Sequence, residues 1–132
     1  MSQKNVEIVR RVINAWNRRD LQTLMAPYRS DAEVDWSRSE GPFKGVYRGH
    51  DGVQTFWDLL WSMFEKGHLE THEFRQMGSD VVVPNTAHFR GREGIEVSAR
   101  TVLVFTLERG QITRLRLFPD LNEALEAAGL LE

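Results

Sequence analysis

The second half of the chain repeats every two residues. On 80–90 the apolar face is Val81, Val83, Asn85, Ala87 and Phe89; on 95–108 it is Val97, Ala99, Thr101, Leu103, Phe105 and Leu107. On 111–119 it is Thr113, Leu115 and Leu117. Successive side chains of a strand point to opposite faces, so a period of two over such lengths requires a sheet with one apolar face. Strands are expected at about 69–77, 80–90, 95–108 and 111–119. Gly78–Ser79, Gly91–Gly94 and Arg109–Gly110 mark the turns between them.

The first third has a different period. Val6, Val9, Ile13 and Trp16 recur at helical spacing, with Val12 beside them. Asp20 is placed to cap a short helix over Leu21–Pro27, with Leu24 and Met25 inward. From Asp31 the period becomes two: Ala32, Val34 and Trp36 alternate with Glu33, Asp35 and Ser37. A loop over 37–44 leads to a long helix with Val53, Phe56, Trp57, Leu60, Trp61 and Phe64 on one face, expected to stop near Gly67. A last helix in DLNEALEAAG has a capping-box pattern in Asp120 and Glu123 and a stop at Gly129. The order gives one α+β domain over 1–132, with helices packed on one face of a bent sheet.

Composition excludes several functions. The 132 residues carry a formal charge of −2, which provides no overall basic field for a nucleic-acid partner. With no cysteine there is no disulfide, thiolate metal site or cysteine nucleophile. His50, His68, His72 and His88 lack metal-ligand spacing, so neither metal nor cofactor is expected. The polar N-terminus and the absence of a long apolar run predict a cytoplasmic chain with no membrane partner.

GVYRGHDGVQTFW, from Gly45 to Trp57, raises the question of a phosphate cradle. Its glycines have neither dinucleotide-binding nor P-loop spacing, and no lysine follows the last one. A His50–Asp51 catalytic pair is disfavoured because sequence neighbours rarely face each other. The favoured reading is a helix start, with Asp51 as N-cap and Gln54 reaching back to it. That leaves His50 at the rim of whatever the helix covers.

Four stretches carry a family resemblance when taken in order: VRRVINAWNRRDLQTLMAPYRSDAEVDW, GVYRGHDGVQTFW, VLVFTLERGQITRLRLFPD and EALEAAGL. Together they make the chain similar, over nearly its whole length, to the SnoaL-like branch of the nuclear transport factor 2-like superfamily. The resemblance implies a cone-shaped, curved antiparallel sheet wrapped around N-terminal helices, enclosing an apolar pocket, and usually a dimer. Members include cyclases, isomerases, dehydratases and non-enzymes, so fold leaves function open. Ketosteroid isomerase needs a carboxylate base and an oxyanion hole of tyrosine and protonated aspartate. Those three positions fall on Trp36, Val12 and Leu103 here, so ketosteroid isomerase activity is not expected. Asp35, next to the base position, should point to the other face unless the strand is bulged.

The resulting chamber is formed by Val12, Trp16, Tyr28, Trp36, Phe56, Trp57, Leu60, Leu103 and Leu117, with Asn85 and Thr101 as polar points. It suits a small, largely apolar, cyclic molecule. Two classes stay open: a binder or cofactor-free isomerase, cyclase or lyase using His50 or Asp35 as proton carrier, and a non-catalytic dimeric interaction domain. A homodimer is expected through the outer sheet face, where Val102, Val104, Ile112 and Phe118 stand beside Arg114 and Arg116.

Overall fold

Long-range strand pairing, invisible to any local pattern, turns these segments into one sheet. The computed structural model describes residues 2–39 and 43–128. In chain order the elements are α1 (Ser2–Asn17), α2 (Leu21–Met25), β1 (Tyr28–Asp35), β2 (Val46–Arg48), α3 (Gly49–Met63), β3 (Phe64–Thr71), β4 (Arg75–Met77), β5 (Asp80–Gly91), β6 (Glu96–Glu108), β7 (Gln111–Phe118) and α4 (Leu121–Ala127). The sheet is curved and unclosed, in the order β2-β1-β7-β6-β5-β3, with β4 also on β5. Its pairs are antiparallel except β1–β7, which run parallel.

The inner face packs on α1 and α3. Val9, Val12 and Ile13 of α1 and Val53 of α3 meet Val81, Val83, Leu103 and Phe105 of the sheet, all buried. Full burial of each such side chain contributes roughly 1.5–3 kcal/mol. Asn17 ties the end of α1 to the edge strand β3. It accepts from the Leu69 amide at 2.8 Å and donates to the Leu69 carbonyl at 3.1 Å. Asp20 caps α2 by accepting from the Thr23 amide.

The outer face differs from expectation. Val102, Val104 and Phe118 are 5%, 0% and 6% exposed, because α4 lays Ala124 over them with Leu121 and Ala128 alongside. Asp120 caps that helix by accepting from the Glu123 amide at 2.9 Å; Gly129, the expected stop, lies outside the described residues. Ile112 is not on this face at all. The β6–β7 register shifts between Thr106 and Leu107, a bulge that turns Ile112 into the inner core. The apolar face argued for a second copy is thus covered within one chain, and Arg116 is engaged with Asp80 at 3.5 Å.

Helix α3 starts and stops elsewhere than predicted. Its N-cap is Arg48, which makes no side-chain cap bond, and Asp51 lies in the first turn. Gln54 donates to Asp58 rather than reaching back. Gly52 is required by proximity: a Cβ there would stand 2.8 Å from the Tyr47 carbonyl carbon. The helix ends at Met63, not near Gly67, and Arg92 donates to the last-turn carbonyls of Trp61 and Ser62. Gly67 lies within β3, where a Cβ would come within 2.9 Å of the Phe89 and Trp61 rings.

Candidate functional site

Between the inner face and the helices lies a cavity of about 200 Å3. α1 contributes Val12, Ile13 and Trp16, and α3 contributes Val53, Phe56, Trp57 and Leu60. From the sheet come Tyr28, Val34, Leu69, Ala87, Phe89, Ala99, Thr101, Leu103, Phe105, Leu115 and Leu117. Trp36, Ser39 and Phe43 close it from the segment between β1 and β2. The rings brace one another: Trp36 lies 4.8 Å from Phe56, and Tyr47 stands behind Phe56 at 5.1 Å.

Val12, Trp16, Tyr28, Trp36, Phe56, Trp57, Leu60, Thr101, Leu103 and Leu117 all border the cavity. Asn85, expected in the chamber, is not among the lining residues; it is 2% exposed and is the partner of Thr101 across β5 and β6. Leu24, Ser39, Phe43 and Phe89 also line it. Phe89 was legible from alternation alone; Ser39 and Phe43 lie in a segment without a period.

Neither candidate proton carrier borders the cavity. The His50 ring Nε2 is 2.8 Å from the Tyr28 carbonyl. A carbonyl only accepts, so Nε2 carries the hydrogen and His50 ties the start of α3 to the start of β1. Asp35 points the other way, towards Arg114 and Arg116. It accepts from the Ser37 amide at 2.9 Å and the Ser37 hydroxyl at 2.5 Å. Burial pushes its pKa up, but the Ser37 hydrogen bonds and the two arginines outweigh this and hold it below the usual value. Asp35 is an ionised carboxylate fixing a turn.

The three positions corresponding to the isomerase machinery, Val12, Trp36 and Leu103, do border the cavity and are apolar. The described lining residues include no carboxylate, imidazole, ammonium or guanidinium side chain; those with a hydroxyl are Tyr28, Ser39 and Thr101. Tyr28 is 4% exposed, and burial alone raises its pKa above the ordinary value of 10.0, with no hydrogen bond opposing the shift. Thr101 differs, because its hydroxyl donates to Asn85 Oδ1 at 3.0 Å.

On the outer face His88 joins Ser98 through Nδ1 at 2.8 Å and Glu70 through Nε2 at 2.9 Å, a row across β6, β5 and β3. His88 and Glu70 are 43% and 56% exposed and face away from the cavity. Among the described residues no cluster of histidine and carboxylate could hold a metal ion, and no helix is long and apolar enough to cross a membrane.

Helices wrapped by a curved mixed sheet around an apolar cavity define the nuclear transport factor 2-like class. Within it, the SnoaL-like domain model matches residues 9–115, and the chain belongs to that family. Among solved structures, it is similar to a nuclear transport factor 2-like protein of unknown function from Burkholderia pseudomallei, at 25% identity and a TM-score of 0.81, covering 93% of this chain and 95% of that one. A nuclear transport factor 2-like protein from Burkholderia xenovorans is 27% identical at a TM-score of 0.78, covering 97% of both. A putative polyketide cyclase from Xanthomonas campestris shares the fold at 19% identity and a TM-score of 0.77, over 96% of this chain and 98% of that one. No functionally curated protein matches the chain.

Proposed function

We propose that this chain binds a small, largely apolar ring compound in the inner cavity, as a carrier or sensor rather than a proton-transfer enzyme. The observation that carries this reading is the lining: aromatic and aliphatic walls around about 200 Å3, with hydroxyls as its polar groups among the described residues. An engineered apolar cavity of about 150 Å3 stays dry and binds benzene. A slightly larger one suits a single ring with one or two substituents, and is too small for a four-ring steroid. Acid–base catalysis needs a titrating group within hydrogen-bond reach of the substrate. His50 and Asp35 instead hold the Tyr28 carbonyl and the Ser37 turn.

The test is a titration followed by tryptophan fluorescence, since Trp16, Trp36 and Trp57 all border the cavity. Toluene, indole and p-cresol should change the emission and raise Tm; at a hundred times Kd a ligand adds about 2.7 kcal/mol. Ala87→Leu places three more carbons in the cavity wall and should abolish the response in a folded protein. Equal responses in wild type and Ala87→Leu would place binding elsewhere, and no response in either would remove the proposal.

A further inference from the structure

We infer that Thr101 presents only a hydrogen-bond acceptor to the cavity, so the site selects ligands carrying an O–H or N–H donor at that wall. This rests on the binding reading above and specifies its ligand class. The Val83 carbonyl can only accept a hydrogen bond. Asn85 Nδ2 lies 3.0 Å from that oxygen. Turning the amide over would bring two acceptor oxygens together in a side chain that is 2% exposed. The amide nitrogen is therefore held towards Val83 and Oδ1 towards Thr101. Oδ1 in turn accepts the Thr101 hydroxyl at 3.0 Å. A threonine hydroxyl has one hydrogen and two lone pairs. With the hydrogen engaged, Oγ1 can offer a ligand only lone pairs, and Thr101 is one of the residues that line the cavity.

The adjoining wall is Ala87, Ala99 and Leu103, which offers a ligand no competing donor or acceptor side chain. An ether, aldehyde or ketone oxygen at this point would meet lone pair against lone pair. A phenol, alcohol, aniline or lactam N–H would form a bond. Tyr28, whose hydroxyl proton has no such engagement, can serve a carbonyl elsewhere on the same ligand. The two hydroxyls thus have different polarity, set by one buried asparagine.

The experiment compares phenol, fluorobenzene and benzaldehyde, which are close in size. Their dissociation constants are measured by calorimetry on wild type, Thr101→Val and Thr101→Ser. The deciding quantity is the ratio of fluorobenzene to phenol Kd in each protein, because differences in ligand hydration cancel between proteins. That ratio should fall roughly tenfold in Thr101→Val, the usual effect of one buried hydrogen bond, and recover in Thr101→Ser. Benzaldehyde should lose no affinity in Thr101→Val. Asn85→Leu, which frees the Thr101 proton, should shift preference from phenol towards benzaldehyde. An unchanged ratio in Thr101→Val overturns the inference while leaving the cavity a binding site. Failure of all three compounds to bind wild type removes both.

Discussion

The two faces of the sheet are built from the same strands and carry different kinds of polar group: charged networks outside, a few hydroxyls and one amide inside. On the outer face charged and polar side chains mostly satisfy one another. Asp80, 9% exposed, accepts from Thr106 at 2.5 Å and from Arg116 at 3.5 Å. Glu70, His88 and Ser98 form a cross-strand row, and His72 bonds Thr86 at 2.8 Å. On the inner face Tyr28 places a hydroxyl beside the cavity with no bond to offset its burial. A buried polar group left unpaired costs about 1–3 kcal/mol. Three other buried atoms lack a partner among the described residues: Arg116 Nε on the outer face, Gln76 Oε1 opposite the inner-core Val81, and Trp61 Nε1 on α3.

The largest way to break this comparison is to put charge into the apolar part of the outer face. Val104→Glu combined with Phe118→Asp would bury two carboxylates beneath α4, where both residues are now nearly inaccessible. We expect a loss above about 4 kcal/mol in urea unfolding, because an unpaired buried charge is among the costliest changes. If α4 did not cover these residues, the same variant would keep its stability and change only its sedimentation. A smaller effect is expected from Gly67→Ala. The added carbon meets the Phe89 and Trp61 rings at 2.9 Å, and overpacking of this kind costs about 1–3 kcal/mol.

Tyr28→Phe sharpens the comparison through its sign. Removing an unpaired hydroxyl should leave stability unchanged or raise it by up to about 1 kcal/mol, while weakening the binding of carbonyl ligands. The folded-state pKa of Tyr28 is raised by burial above its ordinary value of 10.0. The proton is therefore held more tightly in the folded state: the contribution is complete below pH 10 and is lost as pH rises towards the folded value. Wild type should lose stability above pH 10 more steeply than Tyr28→Phe, read from melting curves at stepped pH. Parallel curves would show that Tyr28 is not buried as described. The smallest effect is Asp51→Ala. As a first-turn acid rather than an N-cap, Asp51 should contribute about 0.3–1 kcal/mol through the helix dipole, with no change in ligand affinity.

How much of this was legible follows from the range of each interaction. Alternation on 80–119 placed Ala87, Phe89, Thr101, Leu103 and Leu117 on one side without knowledge of any partner strand. Helical spacing did the same for Val9, Val12 and Ile13. What failed depends on distant contacts. The bulge opposite Leu107 reverses Ile112, and a one-residue slip always exchanges the faces. The short strand β2 is formed by pairing with β1, and α3 is stopped with the help of Arg92 from the β5–β6 turn. The apolar outer positions looked exposed because nothing local says that α4 folds back over them. At the site, residue types were legible but hydrogen-bond polarity was not. It required the register that puts Asn85 opposite Thr101 and the carbonyl of Val83 within reach of the same amide.

The most direct test of the binding account is a crystal structure of the protein soaked with 4-bromophenol, with the bromine located by anomalous scattering. The account predicts one strong bromine site inside the cavity, among Trp57, Leu60, Leu103 and Leu117, and the phenol oxygen within hydrogen-bond distance of Thr101. Bromine confined to the outer surface, or a cavity closed by its own aromatic side chains at saturating ligand, would contradict it.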